Sequence, residues 1–259
     1  MDTSMDTEPF DDPGCGSSPC PEIALLGRQA LVLVAWHGSD LTRPPVIRGI
    51  DAVRAAAIHV PVSAYLAGLL GVPATVLPCP VDPVGLVPRG DALLVVARLG
   101  PLKGVDRALR LAARLGRPIT IVGEGPSREA LEVTAREVGA RATFTGALPR
   151  DAIPWAGTWA LALLSRPDDR PAPKGWTAPA GGAGQEGLGL VLLEAAARGI
   201  PSIGTRTGGI PEAASVILGD LDEEPVPPLP GAADVVAALC ARHGSARTVE
   251  VLRRLVRQG

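Results

Sequence analysis

The sequence predicts an α/β fold with a doubly wound parallel sheet, and three observations along the chain lead to this prediction. Short runs rich in Val, Leu and Ile recur without polar alternation, which is typical of parallel strands buried on both faces. Segments with apolar residues at helical spacing lie between these runs; residues 105–116, which end at Gly116, are the clearest case. Gly, Pro and polar turn residues separate the two kinds of segment, so that strands and helices alternate.

Each expected element is bounded by turn residues. The apolar runs predict strands within 30–40, 57–63, 74–82, 92–100, 118–125, 142–146, 158–165 and 201–205. Helical spacing predicts helices on both sides of the second strand, within 105–116, 127–139, 189–198 and 246–258, and near Pro211. We expect Ser127 to cap its helix. The Pro/Gly/Ala-rich segment 166–185 breaks the rhythm, and we expect a disordered insertion there rather than a functional lid.

Composition narrows the function classes. The chain has 259 residues, 46% of them hydrophobic, and a formal net charge of -2. This balance allows a sizeable core and shows no basic footprint for nucleic acid or an anionic membrane. No apolar run reaches the roughly 18 residues of a membrane helix, and the acidic N-terminus lacks the basic region of a secretory signal. We therefore expect a cytoplasmic protein, whose four cysteines fit no zinc spacing and are free thiols.

Two carboxylates bracket the most hydrophobic part of the chain. Glu186 and Glu194 flank "GLGLVLL", where a buried carboxylate is costly without a partner. A helix beginning near Gly189 would place Glu186 at its mouth and Glu194 about two turns inside. The amides of Gly187, Leu188 and Gly189 would then form an anion site at the helix N-terminus. The acids would meet hydroxyl groups, as in a nucleotide-sugar, although the spacing alone also fits a solvated helix face.

Seven motifs in sequence order resemble the retaining GT-B glycosyltransferases, notably those of family 4. The segment from Glu186 to Glu194 is similar to their donor-binding motif, in which seven residues separate two glutamates. Here Leu188-Gly189 stands where Phe-Gly is commoner. The other motifs that carry the resemblance are "HGSD", "VPVSAYLAGLLGVPATVLPCPVD", "VVARLGPLKGVDRAL", "IVGEGP", "FTGALPR" and "GGIPE". Together they cover residues 30 to about 215.

The resemblance implies a role for each matching residue. Glu186 would bind the donor-sugar hydroxyls with the amides of residues 187–189, and Glu194 would hold the ribose. Arg98 and Lys103 would neutralise the diphosphate and stabilise it as the leaving group. The same resemblance implies a retaining, front-face transfer, in which the leaving phosphate oxygen takes the acceptor's proton. It implies no cofactor other than the nucleotide-sugar, and no bound metal.

Two further residues are placed by the same resemblance. His37, in "HGSD", would project from the N-terminal domain toward the anomeric carbon. Gly123 and the segment "TGALPR" would lie near the nucleotide base. We expect His59 to pack within a strand and His243 to lie on the surface. The Asp-x-Asp in "GDLD" (219–222) falls in an acidic loop and is not expected to bind metal.

The chain is short for a GT-B enzyme. We expect a disordered tail at 1–22, a partial acceptor-side domain at 23–86 and a nucleotide-sugar-binding domain at 87–259. Half a parallel sheet would expose apolar surface, which predicts a second chain or self-association. Two hypotheses follow. The first is a glycosyltransferase that uses a UDP- or GDP-sugar and an unidentified acceptor; the second is a non-catalytic nucleotide-sugar-binding module.

Overall fold

The computed structural model describes residues 33–36, 58–70, 73–167 and 186–258. Some of the predictions lie outside these residues: the tail at 1–22 with the thiols of Cys15 and Cys20, the position of His37, the helix before the second strand, and the character of the segment 166–185 beyond its first two residues.

The described chain alternates strands and helices as the sequence predicts. The strands are β1 (Leu33–Trp36), β2 (Ile58–Pro61), β3 (Ala92–Val96), β4 (Ile119–Val122), β5 (Ala142–Gly146), β6 (Thr158–Leu163), β7 (Ser202–Thr205) and β8 (Val216–Leu218). The helices are α1 (Ala64–Leu70), α2 (Val105–Arg114), α3 (Arg128–Glu137), α4 (Leu190–Ala196), α5 (Ile210–Ala213), α6 (Ala232–His243) and α7 (Ser245–Gln258). Two 3-10 turns lie at Pro101–Lys103 and Arg150–Ala152.

Six strands form one parallel sheet in the order β5-β4-β3-β6-β7-β8. The chain starts at the centre with β3, moves outward through β4 and β5, and then returns to the other side of β3 with β6. This confirms the doubly wound α/β prediction. The strand order reverses between β3 and β6, and the crevice at the carboxyl ends of these two strands is where such sheets bind ligands.

Alternate residues of the central strand face opposite layers, as the period of a strand requires. Leu93 and Val95 of β3 pack in a cluster with residues of α2 and α3, whereas Leu94 packs with residues of α4 and α5. Because helices cover both faces at the centre of the sheet, its central strands β3 and β6 are continuously apolar. This explains why the sequence shows runs rather than alternation.

The N-terminal part of the described chain (33–36, 58–70 and 73–86) packs against the sheet domain (87–167 and 186–258). Strands β1 and β2 form a separate parallel pair. Leu66 and Leu70 of α1, both fully buried, share a cluster with Leu188 and Leu193. Helix α7 packs across β2, with two of its apolar residues against Val60. The two parts of the chain therefore share their cores.

Several local predictions were wrong. The strand expected at 74–82 is reduced to one bridge, between Ala74 and His59, because its partner β2 ends at Pro61, whose carbonyl accepts the Leu77 amide at 2.9 Å. Ser127 stands at the N-cap position of α3, but its side chain makes no capping hydrogen bond. His243 is only 7% exposed, because it continues the buried stripe of Val235 and Leu239 along α6. His59 is buried in β2 as predicted.

Candidate functional site

The crevice between the ends of β3 and β6 brings two predicted site residues together. Lys103 lies in the 3-10 turn after β3, and Glu186 lies where the chain returns after β6. The Lys103 Nζ stands 2.6 Å from Glu186 Oε2. Gly104 makes this approach possible: it has φ 62°, and a Cβ there would come within 1.9 Å of the Leu164 carbonyl oxygen. The loop after β3 therefore packs directly on the end of β6.

The second carboxylate is also paired. Glu194 lies in the second turn of α4, slightly over one turn from its start rather than the expected two, because it follows the first helical residue, Leu190, by only four positions. Its Oε1 is 2.8 Å from Arg150 Nη2. The side chain of Glu194 is 22% exposed and that of Arg150 is 75% exposed. Both carboxylates around the hydrophobic segment thus have a cation, which offsets the cost of their partial burial.

Arg150 was not singled out from the sequence. It belongs to the motif "FTGALPR", in the 3-10 turn that follows β5. Because all six strands are parallel, the loops after β3, β5 and β6 meet at one edge of the sheet. A basic residue in any loop of that edge was therefore a candidate partner for Glu194, and this was the signal available in the sequence.

The loop that enters α4 is held through its backbone. The amide of Gly209 donates to the Glu186 carbonyl at 2.9 Å, and the Ser63 hydroxyl donates to the Gly187 carbonyl at 2.7 Å. Leu188 as a whole is 3% exposed and its side chain packs in the core, so any ligand contact of this residue is made by its backbone. Gly189 has φ 83°, a conformation that favours glycine. Among the described residues, the amides of 187–189 find no hydrogen-bond acceptor.

Two other predicted residues lie at the same edge of the sheet. Arg98 follows β3, is exposed, and makes no ion pair within the described part of the chain. Gly123 follows β4 with φ 138°, and a Cβ there would stand 1.9 Å from the Ala97 carbonyl oxygen. The close approach of the two strand ends therefore requires glycine at 123 whether or not a ligand binds.

Two remaining candidates are the His37 imidazole and the Asp-x-Asp of residues 220–222. His37 lies outside the described residues. The Asp220 carboxylate accepts hydrogen bonds from the amides of Asp222 and Glu223, which is a turn-capping role. Within ranges 33–36, 58–70, 73–167 and 186–258, no cluster of three or more His, Cys, Asp or Glu residues could hold a metal ion. No helix in these ranges is long and apolar enough to cross a membrane.

Comparison with curated proteins finds relatives that match about half to three quarters of the chain. A GDP-mannose-dependent alpha-(1-6)-phosphatidylinositol monomannoside mannosyltransferase of Mycolicibacterium smegmatis is 34% identical over 136 residues, which cover 48% of this chain and 32% of the relative. A D-inositol 3-phosphate glycosyltransferase of Mycobacterium bovis is 29% identical over 213 residues, covering 76% of this chain and 40% of the relative. The chain therefore spans about a third to two fifths of the length of these relatives.

Solved structures show the same fold. AviGT4, a glycosyltransferase involved in avilamycin A biosynthesis, superposes with a TM-score of 0.59 at 22% identity, over 89% of this chain and 74% of that one. Anabaena HepE in complex with UDP-glucose superposes with a TM-score of 0.62 at 16% identity, over 86% and 71%. The described architecture is thus that of the GT-B glycosyltransferases.

The family itself is shown by the sequence of the sheet domain. The profile of the family described as glycosyl transferases group 1 matches residues 84–215, which is half of the chain. This range runs from just before β3 to the end of α5 and contains the Lys103–Glu186 and Arg150–Glu194 pairs. The chain belongs to the glycosyl transferases group 1 family.

Proposed function

We propose that this chain transfers a sugar from a UDP- or GDP-sugar to a hydroxyl acceptor with retention of configuration. The observation that carries the proposal is the Lys103–Glu186 pair at 2.6 Å, in the crevice where β3 and β6 diverge. One member can bind a diphosphate and the other can bind sugar hydroxyls. In the structure the two charges are paired with each other.

Donor binding would exchange these partners. A surface ion pair contributes only about 0–1 kcal/mol, and the Lys103 side chain is 37% exposed, so a diphosphate can compete for its ammonium group. Glu186, 18% exposed, would then accept hydrogen bonds from the donor sugar. Arg98, exposed at the same edge, supplies a second positive charge for the diphosphate. Lys103 and Arg98 would supply the positive charge that stabilises the leaving diphosphate, in place of a metal ion.

The nucleotide would extend from this point toward Glu194. In the proposed complex, its carboxylate accepts the ribose hydroxyls, and Gly123 and the turn that carries Arg150 lie near the base. The relatives named for GDP-mannose make a guanosine donor the first candidate. The solved relative bound to UDP-glucose makes a uridine donor the second.

The bond changes follow from the donor. The bond between the anomeric carbon and the β-phosphate oxygen breaks, and the acceptor oxygen bonds to the same face of the anomeric carbon. The leaving phosphate oxygen takes the acceptor's proton, so that no protein base is consumed. We propose that His37 lies on the acceptor side of the anomeric carbon and contacts the sugar.

The first test is a thermal-shift titration with UDP, GDP and ADP. Ligand at about 100 times its dissociation constant adds roughly 2.7 kcal/mol to the free energy of unfolding, which raises the melting temperature by several degrees. We expect one nucleotide to do so. Lys103→Ala should weaken that shift, and Glu129→Gln, an exposed acid on α3, should leave it unchanged.

Turnover is measured as release of the same nucleotide from its sugar conjugate, with water as acceptor. Slow release that Glu186→Gln abolishes supports the proposal, whereas release that survives this change refutes the role of Glu186. A further outcome is a chain that binds a nucleotide and yet releases none from UDP-glucose, UDP-galactose, GDP-mannose or ADP-glucose. That result would instead favour a binding module that needs another chain. Absence of any nucleotide shift, in a sample that unfolds cooperatively, would overturn the proposed donor site.

A further inference from the structure

We propose that Ser63, in the N-terminal part of the chain, is a positioning residue for the donor sugar. It would act through the Gly187–Leu188 peptide, by aiming the Leu188 amide at the sugar. The loop of residues 186–189 that enters α4 is called the donor loop. This inference rests on the proposed function, because it assigns a supporting residue to that loop. It is carried by a buried hydrogen bond between two segments that lie 124 residues apart in the chain.

The Ser63 hydroxyl makes two defined contacts. It donates to the Gly187 carbonyl oxygen at 2.7 Å and accepts from the Leu66 amide at 3.2 Å. Ser63 is fully buried, so water does not compete for either bond. The second contact caps α1, which any serine before a helix can do. The first contact leaves its own element and reaches the donor loop, which capping does not require.

Peptide geometry makes this contact fix the direction of the Leu188 amide. In a trans peptide, the carbonyl of one residue and the amide of the next point in opposite directions. The described chain contains no cis peptide. With the Gly187 carbonyl held by Ser63, the Leu188 amide must point away from Ser63. Because the Leu188 side chain is locked in the core, this amide cannot turn toward another partner.

The preceding peptide of the loop is held in the same way. The Gly209 amide binds the Glu186 carbonyl at 2.9 Å, so the Gly187 amide also points away from its anchor. Gly208 and Gly209 lie against this backbone: a Cβ on Gly208 would come within 2.1 Å of the Glu186 carbonyl oxygen. The two anchors therefore present two successive N–H groups, neither of which has an acceptor among the described residues.

A second set of hydrogen bonds fixes the position of Ser63 relative to the donor loop. The Glu212 carboxylate, three residues after Gly209, accepts the amides of Ala64 and Tyr65 at 2.7 and 2.8 Å. The same short segment thus binds both the donor loop and the first turn of α1. Ser63 cannot move relative to Gly187 without breaking these bonds. The N-terminal part of the chain is in this way a component of the donor site.

The test compares nucleotide binding with nucleotide-sugar binding. Dissociation constants for UDP, UDP-glucose, GDP and GDP-mannose are measured by calorimetry on wild type, Ser63→Ala and Thr248→Val. Thr248 is a matched control: its buried hydroxyl donates to the Pro78 carbonyl at 2.9 Å, away from the donor loop. We expect Ser63→Ala to raise the dissociation constant of the nucleotide-sugar at least fivefold and to change that of the nucleotide less than twofold. Thr248→Val should leave both constants unchanged.

The outcomes separate this inference from the proposed function. Wild type that binds none of the four ligands overturns the proposed function, and this inference with it. If wild type binds and Ser63→Ala weakens both ligand classes equally or neither, the proposed function stands and the positioning role is wrong. If Ser63→Ala does not unfold cooperatively, Ser63→Cys is used instead, because a thiol is a weak donor of similar size. The same comparison then decides.

Discussion

At the scale of the residue, the two site glutamates are each held by a cation from another loop. Glu194 meets Arg150 at 2.8 Å and Glu186 meets Lys103 at 2.6 Å. Neither carboxylate is fully buried, and each keeps one oxygen without an ion-pair partner in the described chain. A carboxylate oriented in this way is prepared to accept hydroxyl groups, because the rotamer is fixed before the ligand arrives.

The proposed ribose contact predicts discrimination against 2′-deoxynucleotides. Hydrogen bonds to a charged group contribute about 1.5–3 kcal/mol, so wild type should bind the preferred nucleoside diphosphate at least about tenfold more tightly than its 2′-deoxy form. Glu194→Ala should lower this ratio toward one, and Glu129→Ala should not change it. Calorimetric titration measures both constants. A ratio that survives Glu194→Ala would remove Glu194 from the ribose site.

His243 predicts a pH dependence of stability. Burial lowers the pKa of His243, with a smaller contribution from Arg242, while contacts with Glu212 raise it. The folded state therefore favours the neutral ring. The stabilisation that this ring contributes to the folded state is complete at pH values above the unfolded pKa of about 6.5. It is lost as the pH falls from there through the lower folded pKa.

His243→Gln should remove this part of the pH dependence. Between about pH 7 and 5, wild type should lose more stability than the variant, as followed by urea unfolding at each pH. Equal losses in the two proteins would show that other groups cause the acid destabilisation. The variant's stability at pH 7 gives the reference for the comparison.

At the scale of the element, one ion pair ties helix α2 to the end of β6. The Arg166 guanidinium binds both oxygens of Asp106, in the first turn of α2. An acid there also interacts favourably with the helix dipole. Burial alone would raise the pKa of Asp106, but the hydrogen bonds and charge of Arg166 outweigh it and hold that pKa below its usual value. The pair lies beside the Lys103 turn and supports it.

Asp106→Asn should therefore destabilise the protein in a pH-dependent manner. At pH 7 we expect a loss of about 1–2 kcal/mol, which is reduced from a fully buried pair by partial solvent exposure. Because the folded pKa is lowered, the stabilisation is complete above the unfolded value of about 3.9 and is lost below it. The difference between wild type and variant should thus narrow below about pH 4. A constant difference across pH 3–7 would contradict the ion-pair assignment.

At the scale of the whole molecule, the N-terminal part and the sheet domain share one apolar cluster. Leu66 and Leu70 of α1 pack with Leu193 of α4 and Leu239 of α6. All four are buried. Since the cluster is built by both parts of the chain, we expect them to unfold together. Domains joined only by a linker would instead unfold in separate steps.

Leu66→Ala tests this shared core. Removing a fully buried leucine side chain typically costs about 2–5 kcal/mol. We expect a single transition at lower urea concentration, with the tryptophan fluorescence and the helical circular dichroism changing together. Val133→Ala, at a position on α3 that is 43% exposed, should shift the midpoint little. Two separate transitions in Leu66→Ala would show that the parts fold independently.

The sequence alone determined most strands and helices of this protein and several polar residues at one edge of its sheet. Apolar runs, helical spacing and turn residues are local signals, so strands β3–β7 and helices α2–α4 were expected close to where they lie. The sequence also supplied Lys103, Glu186 and Glu194 as candidate site residues, since the carboxyl ends of parallel strands meet at one edge. The helix α6 and the edge strand β8 were missed. The localisation, the second chain and the retaining chemistry stay predictions.

Only the tertiary structure decided which residues pair. Arg150 meets Glu194 and Ser63 meets Gly187 across long separations in the chain. Such contacts depend on strand order, and local sequence patterns do not predict which loops become neighbours. His243 was expected on the surface for the same reason, because its burial comes from the packing of α6 against other parts of the chain. The sequence named Lys103, Glu186 and Glu194 of the candidate site, and the packing of distant segments brought Arg150 to Glu194 and Ser63 to the loop at Gly187.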